Sequence, residues 1–259
     1  MRERLASLSD FLIDQLIKFL ILFVPLFFVF GKGEHYYFSI YDIFKEVMIQ
    51  SFAVLLAGFY LLKVYAQDED DIQVKSSPLG LPILLFLISI IVSLIQVMNI
   101  YEGMIFIKRW VLNFVILFIV YNHVSEKKQI RRYLRYLVFI GFVVSLYGIL
   151  QHLKIDFKFL HQNFTGNSFF GNPNFTSEYI LIIVPVAFFL IFANIHPGWC
   201  LYYIITTAVM FIFLVLNKSR AVWIGGGAAG MIVITYLAVS YLRKGFRYNM
   251  GKNEKALFE

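Results

Sequence analysis

Cysteine occurs once, at Cys200. One cysteine excludes an intramolecular disulfide and a cysteine-ligated zinc cluster. Histidine is also scarce, and His152, His161 and His196 have no partner at metal-ligand spacing. They read as ordinary loop histidines, and neither a metal nor another cofactor is expected. Charge is low as well: 15% of residues are Asp, Glu, Lys or Arg, against ~25% in a typical soluble domain. The chain shows no internal repeat and no domain linker. The net charge of +7 does not point to nucleic acid. The basic residues cluster beside apolar runs, where they suit anionic lipid headgroups.

What fills the chain instead is apolar. Of 259 residues, 60% are hydrophobic and 19% aromatic, and the mean hydropathy is +0.74. Gathered into long runs, this excess predicts an all-α, polytopic membrane helix bundle. A bilayer core ~30 Å thick needs ~20 residues per span. The runs give about eight spans: Leu12–Phe30, Phe44–Tyr65, Leu79–Met98, Met104–Tyr121, Leu134–Leu150, Tyr179–Ala193, Tyr202–Leu216 and Ala221–Leu242. The sixth and seventh are short and expected to extend into their flanks. The first lacks a small-residue cleavage site, so it is expected to stay as a span and not to be a cleaved signal peptide. Residues 1–242 then form the bundle and 243–259 a polar tail.

Lys and Arg set orientation. The dense cluster Lys127–Arg135 belongs in the cytoplasm, which places both termini there. The acidic run Asp68–Asp71 is then a solvated cytoplasmic loop. On the outer side, residues 152–178 form a loop of about 27 residues, long enough to be functional. Its phenylalanines suit a segment lying on the membrane surface or folded over the bundle.

Four stretches carry candidate chemistry. Ser219-Arg220 lies in a very short turn between spans seven and eight, which is expected to hold Arg220 close to the helix ends with little freedom to reach bulk water. Its guanidinium either snorkels to headgroups or offers its planar fork of donors to phosphate oxygens. Phe170-Gly-Asn-Pro-Asn-Phe175 is a tight turn. Thr176 or Ser177 is expected to cap the helix beyond it. The stretch is either only a turn, or it presents amides and the Asn172 and Asn174 side chains to a polar ligand. Lys108-Arg109 interrupts the fourth run. The apolar stretch after it is too short to span, so the helix must begin earlier. Both cations then snorkel or line an anion-binding cavity. Gly225-Gly-Gly-Ala-Ala-Gly230 lacks the Lys-Ser/Thr ending of a phosphate loop. Gly226 and Gly230 are read as a smooth face for close helix packing. Three acceptor patterns for N-glycosylation, at Asn163, Asn174 and Asn217, matter only in a eukaryotic secretory pathway.

Three pieces, in this order, resemble the O-antigen ligase / O-antigen polymerase superfamily of bacterial membrane glycosyltransferases. They are Ser145-Leu-Tyr-Gly-Ile-Leu-Gln-His152, Phe170-Gly-Asn-Pro-Asn-Phe-Thr-Ser-Glu-Tyr179 running into Leu181-Ile-Ile-Val-Pro185, and Lys218-Ser-Arg-Ala-Val-Trp223. The resemblance implies a metal-independent glycosyltransferase of cell-surface polysaccharide or lipopolysaccharide assembly in the bacterial inner membrane. Its partner would be a polyprenyl-diphosphate-linked glycan such as one on undecaprenyl diphosphate, with Arg220 and Ser219 at the diphosphate. Members also carry a large periplasmic loop with a histidine after the Ser-Arg helix. No position here matches that histidine. The chain is therefore expected to be incomplete for transfer, and to work with a C-terminal half or other envelope-synthesis proteins. The competing readings are a transporter or flippase for a lipid-linked substrate and a non-catalytic membrane subunit.

Overall fold

The structure, a computed structural model, describes residues 2–27, 37–67, 75, 77–155, 167–193, 196–220, 222–232, 234–235 and 238–239, with backbone alone for 37–43. Among them there is helix and no strand. The helices are α1 (Arg2–Leu22), α2 (Tyr37–Ala66), α3 (Gly80–Ser93), α4 (Ile100–His123), α5 (Lys127–His152), α6 (Pro173–Ala193) and α7 (Pro197–Asn217). A shorter apolar helix, α8, covers Val222–Ile232. Helices α4, α5, α6 and α7, and residues Phe44–Ala66 of α2, are long and apolar enough to cross a membrane. The described residues thus form a helical bundle of the kind that lies in a membrane.

Local chemistry explains several of the helix starts. Asn99 caps α4, its Oδ1 accepting from the Tyr101 amide at 3.1 Å, and Glu102 sits in the positive first turn. Helix α4 therefore begins well before Lys108, as the short apolar run requires. Proline occupies the first position of α6 and α7, where its missing N–H costs nothing. His196 caps α7 by accepting the Gly198 amide on Nδ1 at 3.2 Å.

Side-chain pairs show which helix ends lie together. Asp10 of α1 meets Lys63 of α2 at 2.7 Å and His123 of α4 at 3.3 Å. At the other end, Glu46 of α2 meets Arg109 of α4. Helices α2 and α4 thus run parallel, and the chain between them must return. Helix α3 makes that return, continued by a tight turn at Leu94–Gln96. Asp14 links α1 to α5, accepting hydrogen bonds from Tyr133 and Gln129 and pairing with Lys18 at 2.5 Å. We call this the Asp10 end, and the opposite one the Arg220 end.

Two apolar clusters fill the bundle. One joins α5, α6 and α7 through Val144, Ile183, Met210 and Phe213, with Val222 of α8. The other joins α1, α2 and α4 through Ile13, Leu56 and Ile119, with Tyr133 of α5. Helix α5 belongs to both and is the central element. Two of its glycines permit close approach. A Cβ at Gly141 would lie 2.9 Å from Met210 Sδ, and one at Gly148 would collide with the Phe213 ring. Large apolar side chains such as Leu61, Phe192 and Ile224 remain exposed, as lipid-facing positions do.

Several sequence expectations are corrected. Helix α1 starts ten residues before Leu12, because Arg2–Phe11 continue its helical pattern, and it ends at Leu22 ahead of a turn containing Pro25. Asp14 and Lys18 therefore sit in its middle. Residues 28–30 lie outside the described residues, as do Asp68–Asp71, His161, Asn163 and the tail 243–259. The segment expected as a loop over residues 152–178 gives way to helix at its end, since α6 begins at Pro173 and contains Glu178. Of the two glycines assigned to close packing, a Cβ added at Gly226 would lie 3.2 Å from Leu181 of α6, whereas one at Gly230 would meet nothing within 4 Å among the described residues.

Candidate functional site

The motif residues converge at the Arg220 end, on the turns that join α5 to α6 and α7 to α8. The first turn is built from Asn167 onward. The Ser168 amide donates to Gln151 Oε1 at 2.8 Å, and the Ser168 hydroxyl donates to the Val144 carbonyl at 2.7 Å. Both acceptors belong to α5, so the segment is sewn to the end of that helix. Phe169 packs against Tyr147 with ring centroids 4.9 Å apart, and Phe170 against Tyr179 at 4.8 Å, both pairs tilted. Gly171 then turns the chain at φ 67°, a left-handed angle that glycine adopts without strain.

Asn172 comes next and caps α6. Its Oδ1 accepts the Asn174 amide at 2.8 Å. This corrects the expectation that Thr176 or Ser177 provides the cap. Both lie inside the helix, fully buried. The Thr176 hydroxyl donates back to the Asn167 and Asn172 carbonyls, and the Ser177 hydroxyl to the Pro173 carbonyl. Asn172 therefore uses its side-chain oxygen within the turn, while the Asn174 side chain is exposed.

The second turn is as tight as the sequence implies. Helix α7 ends at Asn217, Lys218 adopts a left-handed φ of 52°, and the next helix starts at once. The Trp223 amide donates to the Ser219 carbonyl, which makes Ser219 the residue that caps α8. Ser219 is 4% exposed and its hydroxyl has no hydrogen-bond partner among the described residues. A buried hydroxyl without a partner is costly. Arg220 is exposed and makes no ion pair among the described residues. That departs from the expectation of an arginine cut off from water: Arg220 is exposed at the turn into α8, although Ser219 before it and Val222 after it are buried.

Asn217 joins the two turns. Its Nδ2 donates to the Pro173 carbonyl at 2.7 Å and to Ser177 Oγ at 2.6 Å. The N-terminus of α6 and the N-terminus of α8 are thereby held at one end of the bundle, with Lys218 and Arg220 beside them. Helix N-termini carry partial positive charge, so four positive features share this end. His152 Nε2, also buried there, has no partner among the described residues. The arrangement suits a multiply charged anion.

The remaining candidates separate. Lys108 is exposed and unpaired among the described residues. Arg109 instead forms a two-pronged ion pair with Glu46, with Nε–Oε1 at 2.9 Å and Nη2–Oε2 at 2.6 Å, and Glu46 also accepts from Gln50. Arg109 is exposed, and its charge is matched by the Glu46 carboxylate. Sequence reading missed the structural roles of Asn217 and Lys45. Asn217 is the polar residue that closes the apolar run of α7. Lys45, 8% exposed, donates to the Phe169 carbonyl and sits 3.9 Å from the Phe170 ring centroid. Its signal was a lysine next to an acidic residue within an otherwise apolar run. No group of residues suited to hold a metal ion occurs among the described residues. No family model, curated protein or solved structure matches this chain.

Proposed function

We propose that the Arg220 end binds the diphosphate of a polyprenyl-linked glycan on the extracytoplasmic side of a bacterial inner membrane. In this reading the bundle has eight spans and both termini are cytoplasmic. The carrying observation is the pair Ser219–Arg220 at the start of a helix: a buried hydroxyl without a partner and an exposed arginine without a carboxylate, both among the described residues. A diphosphate supplies acceptors to both, while the α6 and α8 helix ends add favourable potential.

The resemblance to O-antigen ligases and polymerases extends the reading to glycosyl transfer. The acceptor oxygen would bond to the anomeric carbon as the sugar–phosphate C–O bond breaks. The electron pair then leaves with the carrier diphosphate. Arg220 would stabilise the charge growing on that leaving group. The acceptor must lose a proton, and no described residue is assigned as its base. That step belongs to a further chain segment or a partner protein.

The test is binding of undecaprenyl-diphosphate glycan to the chain in nanodiscs. Wild type should bind at least tenfold tighter than Arg220→Ala, the change expected when one charge-assisted phosphate contact of about 1.5–3 kcal/mol is removed. Equal affinity rejects the role given to Arg220.

A further inference from the structure

The Asp10 end carries a second set of cations that the diphosphate reading does not use. Helix α5 opens with Lys127, Lys128, Arg131, Arg132 and Arg135. None of them forms an ion pair among the described residues. Lys128, Arg131 and Arg135 recur at three- and four-residue spacing, so they share one face over two helical turns. Lys128 and Arg131 are exposed. The Arg135 guanidinium lies over the Trp199 ring of α7, 4.3 Å from its centroid, and its Nε has no acceptor among the described residues. A π face holds this arginine where a carboxylate would otherwise be expected.

The apolar helix segments beside this group fix its level in the membrane. After Arg135, α5 has no charged residue up to its end at His152, and α7 has none from Pro197 to Asn217. Trp199 is 40% exposed at the start of α7, the position tryptophan favours at a membrane–water boundary. Farther along the same α5 face, Phe139 and Leu146 are exposed at 48% and 40%. The surface therefore has unpaired cations at the boundary and an apolar stripe leading into the bilayer. A free phosphate would use only the cations. A phospholipid would use both parts.

We propose that the Lys128–Arg131–Arg135 face of α5, closed on one side by Trp199, binds the headgroup of an anionic phospholipid, with an acyl chain along Phe139 and Leu146. The only acidic residue at the start of α5 is Glu126, which is exposed and makes no side-chain capping bond. The nearby Asp10 and Asp14 are engaged by Lys63 and Lys18. Opposing charge on this face is thus small.

The experiment titrates phosphatidylglycerol or phosphatidylcholine into the detergent-purified chain and monitors both Tm and bound lipid by native mass spectrometry. Phosphatidylglycerol should bind and raise Tm, and phosphatidylcholine should not. Removing one cation should weaken binding about fivefold, from about 1 kcal/mol per basic residue at a lipid surface. Lys128→Gln with Arg131→Gln is the main variant, because both side chains are exposed and the fold does not depend on them. Lys154→Gln, at the opposite end of α5, is the control and should bind like wild type. Equal phosphatidylglycerol affinity in wild type and the double variant overturns the proposal. So does a Tm gain that inorganic phosphate alone reproduces. The diphosphate reading is untouched by either outcome, since it concerns the other end.

Discussion

Asn217 Nδ2 lies 2.6 Å from Ser177 Oγ and 2.7 Å from the Pro173 carbonyl, tying the last turn of α7 to the first turn of α6. Everything placed at the Arg220 end depends on this bridge, because Lys218, Ser219 and Arg220 come directly after it. Asn217→Ala removes two donors and leaves their acceptors inside the bundle. Hydrogen bonds between membrane helices contribute about 0.6 kcal/mol on average and up to about 1.7. The variant should unfold at lower temperature in detergent and bind the diphosphate probe more weakly. Asn217→Asp should do worse, since a carboxylate cannot donate to either acceptor.

Lys45 anchors the same region from α2. Its ammonium holds the Phe169 carbonyl and the face of Phe170, so it clamps the turn that leads to the Asn172 cap. Lys45→Met keeps much of the apolar stem and deletes the charge. A cysteine placed at Ser168, now buried at 0% exposure, should be protected from a membrane-impermeant maleimide while Lys45 is intact. The same cysteine should become reactive once Lys45→Met is added. Lys45→Arg should restore protection in part, because a guanidinium also donates and stacks on rings.

The helical architecture was legible because apolar runs of span length have few other solutions in a membrane. The runs at Phe44, Met104, Leu134, Tyr179 and Tyr202 all fall inside observed helices, and the ends of α6 and α7 extend outward as their shortness implies. Side-chain partners were not legible. Glu46 and Arg109 are 63 residues apart, and Lys45 and Phe169 are 124 apart. Periodicity says which face a residue occupies but not which helix packs there. The capping of α6 was misread for a related reason. Asn172, Thr176 and Ser177 are all competent caps, and Pro173 decides among them, because proline at the first helical position puts the cap on the residue before it.

Arg109 and Arg220 make a discriminating pair. Both are exposed arginines at the same end, yet among the described residues only Arg109 has a carboxylate partner. Arg109→Gln should leave binding of the diphosphate probe within about twofold of wild type. An exposed ion pair contributes about 0–1 kcal/mol to stability, so a small drop in Tm is expected. Lys108, which has no such partner, is the better candidate for a peripheral contribution. Lys108→Gln should weaken binding more than Arg109→Gln, and the reverse order in a titration would show that Glu46 does not neutralise Arg109.

Gly148 tests whether the central helix sets the site by close packing. The Phe213 ring of α7 occupies the space a Cβ would need there, and Phe213 is fully buried. The ring cannot retreat without displacing α7, which carries Asn217 one turn farther along. Gly148→Ala should therefore destabilise by about 1–3 kcal/mol, the usual cost of overpacking, and should weaken the diphosphate probe through the shifted α7 end. Phe213→Leu should recover part of both losses in the double variant, since the smaller side chain vacates the contested volume. Gly230→Ala provides the contrast: nothing among the described residues lies within 4 Å of a Cβ at that position, so Tm and binding should match wild type. Equal effects at the two glycines would mean that helix flexibility, and not steric approach, governs this end of the bundle.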